Sequence, residues 1–225
     1  TQLLENTLLY DVWMKGDYQP YSTDELIQLI ADIKLKIPRY CRVNRVVRDI
    51  PSQNVVEGNR RTSLRQDIQV ELKRRGESCQ CIRCREVRGE EIDITSLKLN
   101  DQVYFSNGCE EHFLSYDTKE DHLAGFLRLS LPGPGAFDTG IKDLQQAAII
   151  REIHIYGESV PVGEEKAGAA QHAGLGTALL TEGEKIAAEK GFPKIAVISA
   201  VGTRQYYLER GYKRGELYLV KQLQV

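Results

Sequence analysis

The feature that most constrains the fold is a glycine-rich loop between a predicted strand and a predicted helix, Gln171-His172-Ala173-Gly174-Leu175-Gly176-Thr177. Two glycines let backbone N–H groups approach a phosphate closely, and the helix N-terminus adds unsatisfied donors and a positive dipole end. The loop lacks the Gly-Lys-Ser/Thr of a Walker A loop and the third glycine of a dinucleotide fingerprint. The pattern predicts a pyrophosphate site, and a plain glycine-rich turn before a helix is the alternative.

The hydrophobic pattern around this loop predicts an α+β fold with a mixed central sheet. Short alternating runs typical of an antiparallel meander lie at 86–94, 103–105, 112–116 and 123–131. After them come a strand at 148–156, a helix at 176–190, a strand at 194–201, a helix at 203–210 and a strand at 217–223. Nearer the N-terminus the pattern predicts helices at 22–36 and 62–75 and a strand at 42–50. We place the domain boundary near residue 85.

The strand before the loop carries an unusual set of polar side chains. Because side chains alternate along a strand, Glu152, His154 and Tyr156 share one face. Ile153 and Ile155 occupy the other face. This polar face is a candidate binding or catalytic surface, and the alternative is three core polar residues with satisfied hydrogen bonds.

The last predicted helix contains two neighbouring tyrosines, Tyr206 and Tyr207. A phenol with a pKa of about 10 is suited to protonating a thiolate leaving group of similar basicity. Core packing is the alternative for either residue. Only one of two adjacent tyrosines can point fully into a cleft.

Three of the five cysteines, Cys79, Cys81 and Cys84, fall within six residues. Thiolates this close together suit a tetrahedral structural Zn²⁺, which we favour over an iron–sulfur cluster or free thiols. The sequence leaves three candidates for the fourth ligand, Cys41, Cys109 and His112. An odd cysteine count argues against a secreted disulfide framework and favours a reducing compartment.

Residues 39–88 are strongly basic, with 13 Lys and Arg against 6 Asp and Glu in a chain of net charge −2. A basic segment inside an acidic chain predicts contact with a polyanion such as RNA, and a solvated helix face is the alternative. The candidate RNA-binding residues are Arg45, Arg48, Arg60, Arg61, Arg65, Arg74 and Arg75.

The sequence carries no signal for membrane insertion or secretion. No apolar run approaches the ~18 residues that a membrane span needs, and the N-terminus lacks a signal-peptide pattern. The chain starts with Thr1 and holds a single methionine, Met14, so we expect it to be a piece of a longer protein. We expect a cytoplasmic protein with no membrane partner.

Seven blocks of the sequence carry a resemblance to a known family. They are Tyr10-Asp11-Val12-Trp13, Arg45-Val46-Val47-Arg48-Asp49-Ile50-Pro51, Arg85-Glu86-Val87, Phe113-Leu114-Ser115-Tyr116, Arg151-Glu152-Ile153-His154-Ile155-Tyr156-Gly157, Gln171-His172-x-Gly174-x-Gly176 and Gly202-Thr203-Arg204-x-Tyr206-Tyr207. In this order they resemble the catalytic subunit of Elongator, a radical-SAM and acetyltransferase fusion that modifies the tRNA wobble uridine. The glycine loop also resembles motif A of the GNAT acetyltransferases, which binds the pyrophosphate of acetyl-CoA.

The resemblance implies a GNAT acetyltransferase fold at 86–225. It implies the tail of a radical-SAM domain at 1–51 and a basic helical linker with the cysteine cluster at 52–85. The implied acetyl-CoA contacts are Glu152, Ile153, His154, Ile155, Gln171, His172, Gly174, Leu175, Gly176, Thr177 and Tyr207. S-adenosylmethionine and a 4Fe–4S cluster are expected only in the full-length protein, because the cluster cysteines of that family are not in this chain.

The implied reaction is carboxymethylation of the tRNA wobble uridine. A radical made from S-adenosylmethionine activates the methyl group of acetyl-CoA, that carbon attacks the uridine, and the thioester is hydrolysed. We hypothesise that Glu152 or His154 positions or deprotonates water, and that Tyr207, with Tyr206 second, acts on the CoA side. The expected partners are tRNA and acetyl-CoA, with a homodimer or an Elongator-type assembly. Two alternatives stay open: a protein lysine acetyltransferase with the same acetyl-CoA site, and a catalytically silent module that binds RNA or partners.

Overall fold

The computed structural model describes residues 2–46, 48, 50–88, 92–156 and 174–224. The chain divides into two units, Thr1–Arg85 and Glu86–Val225. None of the helices in the described ranges is long and apolar enough to cross a membrane.

The first unit is organised by two packed helices. Its elements are β1 (Gln2–Leu4), α1 (Leu8–Met14), α2 (Thr23–Leu35), β2 (Val55–Gly58), α3 (Leu64–Arg74) and α4 (Ile82–Arg85). β1 pairs antiparallel with β2. Ala31 of α2 and Ile68 and Leu72 of α3 form a core that also contains Cys79 and Cys81. Two members of the cysteine cluster are therefore anchored in the core of this unit.

The two helices predicted in this unit are confirmed. α2 begins with a full capping box, because the Ser22 hydroxyl accepts the Glu25 N–H and the Glu25 carboxylate accepts the Ser22 N–H. α3 is followed by Gly76 with a φ of +71°, the left-handed conformation that commonly ends a helix.

The strand predicted at 42–50 is wrong. The described residues of this segment adopt no regular secondary structure. Arg65 donates to the carbonyl oxygens of Val43 and Asn44 at 2.8 and 3.0 Å. A side chain thus occupies acceptors that a neighbouring strand would otherwise use.

The second unit is a mixed sheet with a helix across one face. Its elements are β3 (Lys98–Ser106), β4 (Cys109–Asp117), β5 (Leu123–Pro132), β6 (Ala147–Ile155), α5 (Leu175–Glu189), β7 (Lys194–Val197), α6 (Arg204–Leu208), β8 (Lys213–Arg214) and β9 (Leu219–Gln222). The strand order is β3-β4-β5-β6-β7-β9-β8, and among these strands the β6–β7 pair is parallel and the others are antiparallel. Leu179 and Leu180 of α5 pack with Leu127, Leu129 and Ile150. The predicted α+β fold with a mixed sheet is confirmed.

The described residues 86–88 and 92–94 do not form the first strand predicted for the meander, at 86–94. Glu86 forms an isolated bridge with Leu123, and the Asp93 carboxylate accepts the Thr95 N–H at 3.0 Å to begin a 3₁₀ turn. A short polar side chain that bonds the backbone two residues on favours a turn over a strand. The sheet instead begins with β3, which is longer than the strand predicted there.

Candidate functional site

The sheet opens between β6 and β7, where two parallel strands separate. β6 pairs with β5 as far as Ile155, whereas its pairing with β7 covers only Ala147 to Ile150. Arg151 is an extra residue in the β5–β6 ladder, because Arg128 lies opposite Glu152 while Leu129 lies opposite Ile150. Such a bulge bends the strand that contains it. Within the described residues, β7 therefore diverges from β6 beyond Ile150, and the stretch of β6 at 152–155 does not pair with it.

The side chains of β6 alternate as predicted. Glu152 forms an ion pair with Arg128, with 3.0 Å between Oε2 and Nε. His154 is exposed, and its ring lies 4.4 Å from the ring of Tyr156. On the opposite face, Ile153 and Ile155 pack against the core beneath α5. The polar face therefore presents a carboxylate held by an arginine next to an exposed imidazole.

The start of α5 has the backbone geometry of an anion site. Gly174 is the N-cap residue with a φ of +74°, and no side chain caps the helix. The N–H groups of Leu175, Gly176 and Thr177 belong to the first turn, where a helix supplies no intrahelical acceptor. The macrodipole adds a positive end at the same place. Gln171 and His172, the other predicted residues of this loop, lie outside the described residues.

Gly176 brings three elements together. A Cβ at this position would lie 3.1 Å from the hydroxyl oxygen of Tyr206 on α6 and 3.7 Å from Cγ1 of Ile155 on β6. The end of β6, the start of α5 and α6 therefore converge around one glycine. Any larger residue would intrude on the space between them.

The two neighbouring tyrosines have different surroundings. Tyr207 is only 4 % exposed, and its ring packs edge-on against Tyr212 in the core. Burial raises the pKa of Tyr207 to about 12. Tyr206 is half-buried, and its hydroxyl oxygen lies 3.4 Å from Oγ1 of Thr177. Of the two, Tyr206 is the one that borders the first turn of α5.

Sequence reasoning missed two arginines at this site. Arg128 holds Glu152 across the β5–β6 ladder, and Arg210 contacts both Tyr206 and Thr177. The contact between Arg128 and Glu152 depends on the β5–β6 register, which the sequence does not show. Arg210 lies four residues after Tyr206, and side chains at this spacing can meet on a helix, so the sequence alone hints at this contact.

The cysteine cluster has the donor set of a metal site. The sulfur atoms of Cys79, Cys81 and Cys84 all lie within 4.8 Å of one another, and none of them forms a disulfide. Hydrogen bonds from the two neighbouring thiols lower the pKa of Cys81. The ammonium of the buried Lys34 lies 3.5 Å from Sγ of Cys84 and offsets thiolate charge. Three soft donors with a nearby cation fit a thiolate-ligated metal.

Two of the three candidates for a fourth ligand, His112 and Cys41, have defined contacts. Both ring nitrogens of His112 face carboxylates, Asp101 at 2.8 Å and Glu110 at 3.0 Å. The carbonyl oxygen of Cys41 accepts the N–H of Ile82, which brings the backbone of Cys41 to the start of α4. Cys79 and Cys84 also line a cavity of about 380 Å³ within the first unit.

Several of the predicted RNA-binding arginines have intramolecular partners. Arg74 and Arg75 each lie 2.8 Å from the Glu71 carboxylate, and together they lower the pKa of Glu71 to about 2. Arg61 pairs with Asp67 at 3.2 Å. Two further side chains bond main-chain carbonyls: Arg65 as described above, and Arg60 with Val56 at 2.6 Å. Arg45 and Arg48 are exposed at the surface of the first unit.

Comparison with known proteins identifies relatives over nearly the whole chain. Residues 1–74 match the Radical_SAM C-terminal domain family. Over 99 % of its length, the chain is 38 % identical to a tRNA uridine(34) acetyltransferase of Dehalococcoides mccartyi and 40 % identical to Elongator complex protein 3 of Danio rerio. The predicted resemblance to the Elongator catalytic subunit is confirmed. The chain covers 49 % and 41 % of these two relatives, respectively.

A solved structure agrees with this relationship. The archaeal Elp3 of Methanocaldococcus infernus, with its N-terminus deleted, matches with a TM-score of 0.87 and 36 % identity. The match covers 99 % of this chain and 54 % of that protein. The chain thus spans about half the length of the relatives that it matches.

Proposed function

We propose that the chain is the acetyl-CoA-binding part of an enzyme that modifies the wobble uridine of tRNA by carboxymethylation. Residues 86–225 would form a GNAT-type acetyltransferase domain. Residues 1–51 would be the tail of a radical-SAM domain, and 52–85 a basic linker that holds the cysteine cluster. The names of the relatives, for uridine-34 acetylation and for Elongator, support a tRNA substrate and an Elongator-type assembly. A homodimer is the alternative assembly, and a cytoplasmic location remains our expectation.

The observation that carries the proposal is the convergence of the open β6 edge with the uncapped start of α5. Acetyl-CoA has a pyrophosphate at one end of a chain that contains two amides. The first-turn N–H groups of Leu175, Gly176 and Thr177 suit the pyrophosphate. The backbone of β6 at 152–155, beyond the end of the pairing with β7, suits the amides, since an extended ligand can add alongside a strand. Gly174, together with Gln171 and His172 of the same loop, would complete the phosphate contacts.

The polar face of β6 supplies groups for thioester hydrolysis. Arg128 orients the Glu152 carboxylate, so that Glu152 accepts a hydrogen bond from water. The exposed His154 can take a proton from the same water. Of the two tyrosines, Tyr206, which borders the start of α5, would contact CoA, and the buried Tyr207 is the alternative. In the full-length protein, S-adenosylmethionine with a 4Fe–4S cluster would supply the radical chemistry at the acetyl methyl group.

The remaining sites support the same enzyme. Cys79, Cys81 and Cys84 would hold a structural Zn²⁺. The basic segment, including Arg45 and Arg48, would contact tRNA phosphates.

The test uses this chain with acetyl-CoA, with and without tRNA. We expect acetyl-CoA binding by calorimetry, and release of the CoA thiol that requires tRNA. Glu152→Gln and His154→Gln should each lower thiol release about tenfold or more with little change in acetyl-CoA affinity. The matched control is Glu120→Gln in the turn before β5, which should change neither quantity.

Three results would redirect the proposal. Acetyl-CoA that does not bind at all contradicts the assignment of the second unit. Binding without release in either case points to a silent module. Acetyl label that accumulates on protein lysines points to a lysine acetyltransferase.

A further inference from the structure

We infer that Arg210 is a positioning residue that sets the direction of hydrogen bonding at the start of α5, so that the Tyr206 hydroxyl donates its proton to a pyrophosphate oxygen of bound acetyl-CoA. This inference rests on the proposed function of the second unit. It adds Arg210 to the site and states which group donates the hydrogen bond between Tyr206 and the phosphate, neither of which follows from the glycine loop alone.

The first step is the contact between Arg210 and Thr177. Nε and Nη2 of Arg210 donate to Oγ1 of Thr177 at 3.2 and 3.0 Å. A threonine hydroxyl has two acceptor lone pairs and one proton. With two N–H groups directed at Oγ1, its remaining capacity is as a donor.

The second step is the contact between Thr177 and Tyr206. Their hydroxyl oxygens are 3.4 Å apart, and geometry alone allows either one to donate. Because Arg210 occupies the acceptor side of Thr177, the hydrogen bond runs from Thr177 to Tyr206. The tyrosine proton is then free to be donated to a third group.

The third step is the place where this proton is presented. The Tyr206 hydroxyl lies 3.1 Å from the Cβ position of Gly176, beside the first-turn N–H groups of α5. The helix dipole attracts a negatively charged phosphate oxygen more strongly than a neutral acceptor, and the N–H groups donate hydrogen bonds to it. A donor hydroxyl next to them adds a further hydrogen bond to the same anion.

Arg210 also fixes the tyrosine itself. Its guanidinium lies 3.6 Å from the centroid of the Tyr206 ring, and Nη1 donates to the Tyr206 carbonyl oxygen at 2.7 Å. The cation therefore holds both the ring and the backbone of Tyr206. A cation near a helix N-terminus is unfavourable by itself, and a bound pyrophosphate would remove that penalty.

The experiment compares two ligands, acetyl-CoA and acetyl-pantetheine, because only the first contains the pyrophosphate. For Arg210→Met, Thr177→Val and Tyr206→Phe we expect acetyl-CoA affinity to fall about tenfold, with acetyl-pantetheine affinity changed less than about twofold. Combining Arg210→Met with Tyr206→Phe should lower affinity no further than either change alone, since both break one chain of hydrogen bonds.

Two conservative variants separate the direction of hydrogen bonding from the charge of Arg210. Thr177→Ser keeps the hydroxyl and should retain the acetyl-CoA affinity that Thr177→Val loses. Arg210→Lys keeps the charge but lacks the two parallel donors, and its acetyl-CoA affinity should be as low as that of Arg210→Met. Arg214→Met on β8 removes the same charge away from α5, and is the control that should leave both affinities unchanged.

The outcomes distinguish this inference from the proposed function. If the unmodified chain fails to bind acetyl-CoA, the proposed function fails. If it binds and Arg210→Met binds equally well, or if Arg210→Lys restores full affinity, the polarity role of Arg210 is refuted. Equal losses for acetyl-CoA and acetyl-pantetheine would show a general disturbance of the cleft and also refute it.

Discussion

His112 gives the second unit a pH-dependent stability that can be measured directly. Its side chain is 6 % exposed and bonded on both sides, by Asp101 through Nδ1 at 2.8 Å and by Glu110 through Nε2 at 3.0 Å. Lys190 after α5 also bonds Glu110, at 2.5 Å. The carboxylates raise the pKa of His112 above 6.5, Asp101 most strongly, and Lys190 followed by His112 lowers that of Glu110 below 4.5.

The signs of these shifts define a window of stability. A raised histidine pKa stabilises the fold fully below about 6.5, and this contribution is lost as the pH rises through the folded-state pKa. A lowered glutamate pKa stabilises the fold above about 4.5, and this contribution is lost as the pH falls through the folded-state pKa. The cluster of Asp101, His112, Glu110 and Lys190 should therefore contribute most between about pH 4.5 and 6.5.

The size of the effect follows from the two charge-assisted hydrogen bonds of a buried imidazolium. Each is worth about 1.5–3 kcal/mol before desolvation, so we expect a net contribution of about 2 kcal/mol. For a chain of this length that corresponds to a melting-temperature difference of roughly 4–8 °C.

The assay is thermal unfolding followed by circular dichroism at pH 5.5 and pH 8.5, with amide hydrogen exchange of β4 as the local readout. The unmodified chain should lose stability between the two values, and His112→Gln should remove most of that difference. His122→Gln, in the turn before β5, is the control that should keep it. Parallel pH profiles for His112→Gln and the unmodified chain would refute the reasoning.

Three further predictions follow from the other sites. Gly176→Ala places a Cβ 3.1 Å from the Tyr206 hydroxyl in the phosphate site, so calorimetry should show acetyl-CoA affinity reduced about tenfold or more with an unchanged circular dichroism spectrum; unchanged affinity would contradict the site. Elemental analysis should find about one zinc per chain, lost in Cys81→Ser together with stability of the first unit, and finding neither zinc nor iron would refute the metal site. Binding of tRNA should weaken with salt, and Arg48→Gln should reduce the salt slope by about 1, whereas Arg75→Gln, whose partner is Glu71, should change it less; a flat salt series would exclude phosphate contacts.

Local signals in the sequence predicted the elements whose ends are fixed by local chemistry. The capping box of α2 and the glycine after α3 act within a few residues, so both helices were predicted correctly. The strand at 148–156 and the helix at 176–190 were predicted for the same reason, because periodicity and the glycine loop define them. The short elements β1, α1 and β8 were missed, since two to seven residues are too few to establish a period.

One failure came where a distant side chain overrides the local pattern. Residues 42–50 alternate like a strand, yet the carbonyl oxygens of Val43 and Asn44 accept hydrogen bonds from Arg65 of α3. His112 stays one of three candidates for the fourth ligand, and its two nitrogens are bonded by Asp101 on the neighbouring strand and by Glu110 two residues earlier. RNA binding by the basic segment stays a prediction, and Glu71 pairs with Arg74 and Arg75 of that segment.

The tyrosine pair shows why the site needed the fold. Neighbouring residues on a helix point about 100° apart, so only one of Tyr206 and Tyr207 can border α5. Both are aromatic, and their neighbours Gln205 and Leu208 are too few to define an apolar stripe, so periodicity does not choose. The choice is made by packing, because Tyr207 fills the core beside Tyr212 and leaves Tyr206 to meet Thr177. Arg210 then lies one helical turn beyond Tyr206 and reaches the same threonine. Because Tyr207 packs into the core, Tyr206 and Arg210 are the residues available to a ligand at the start of α5.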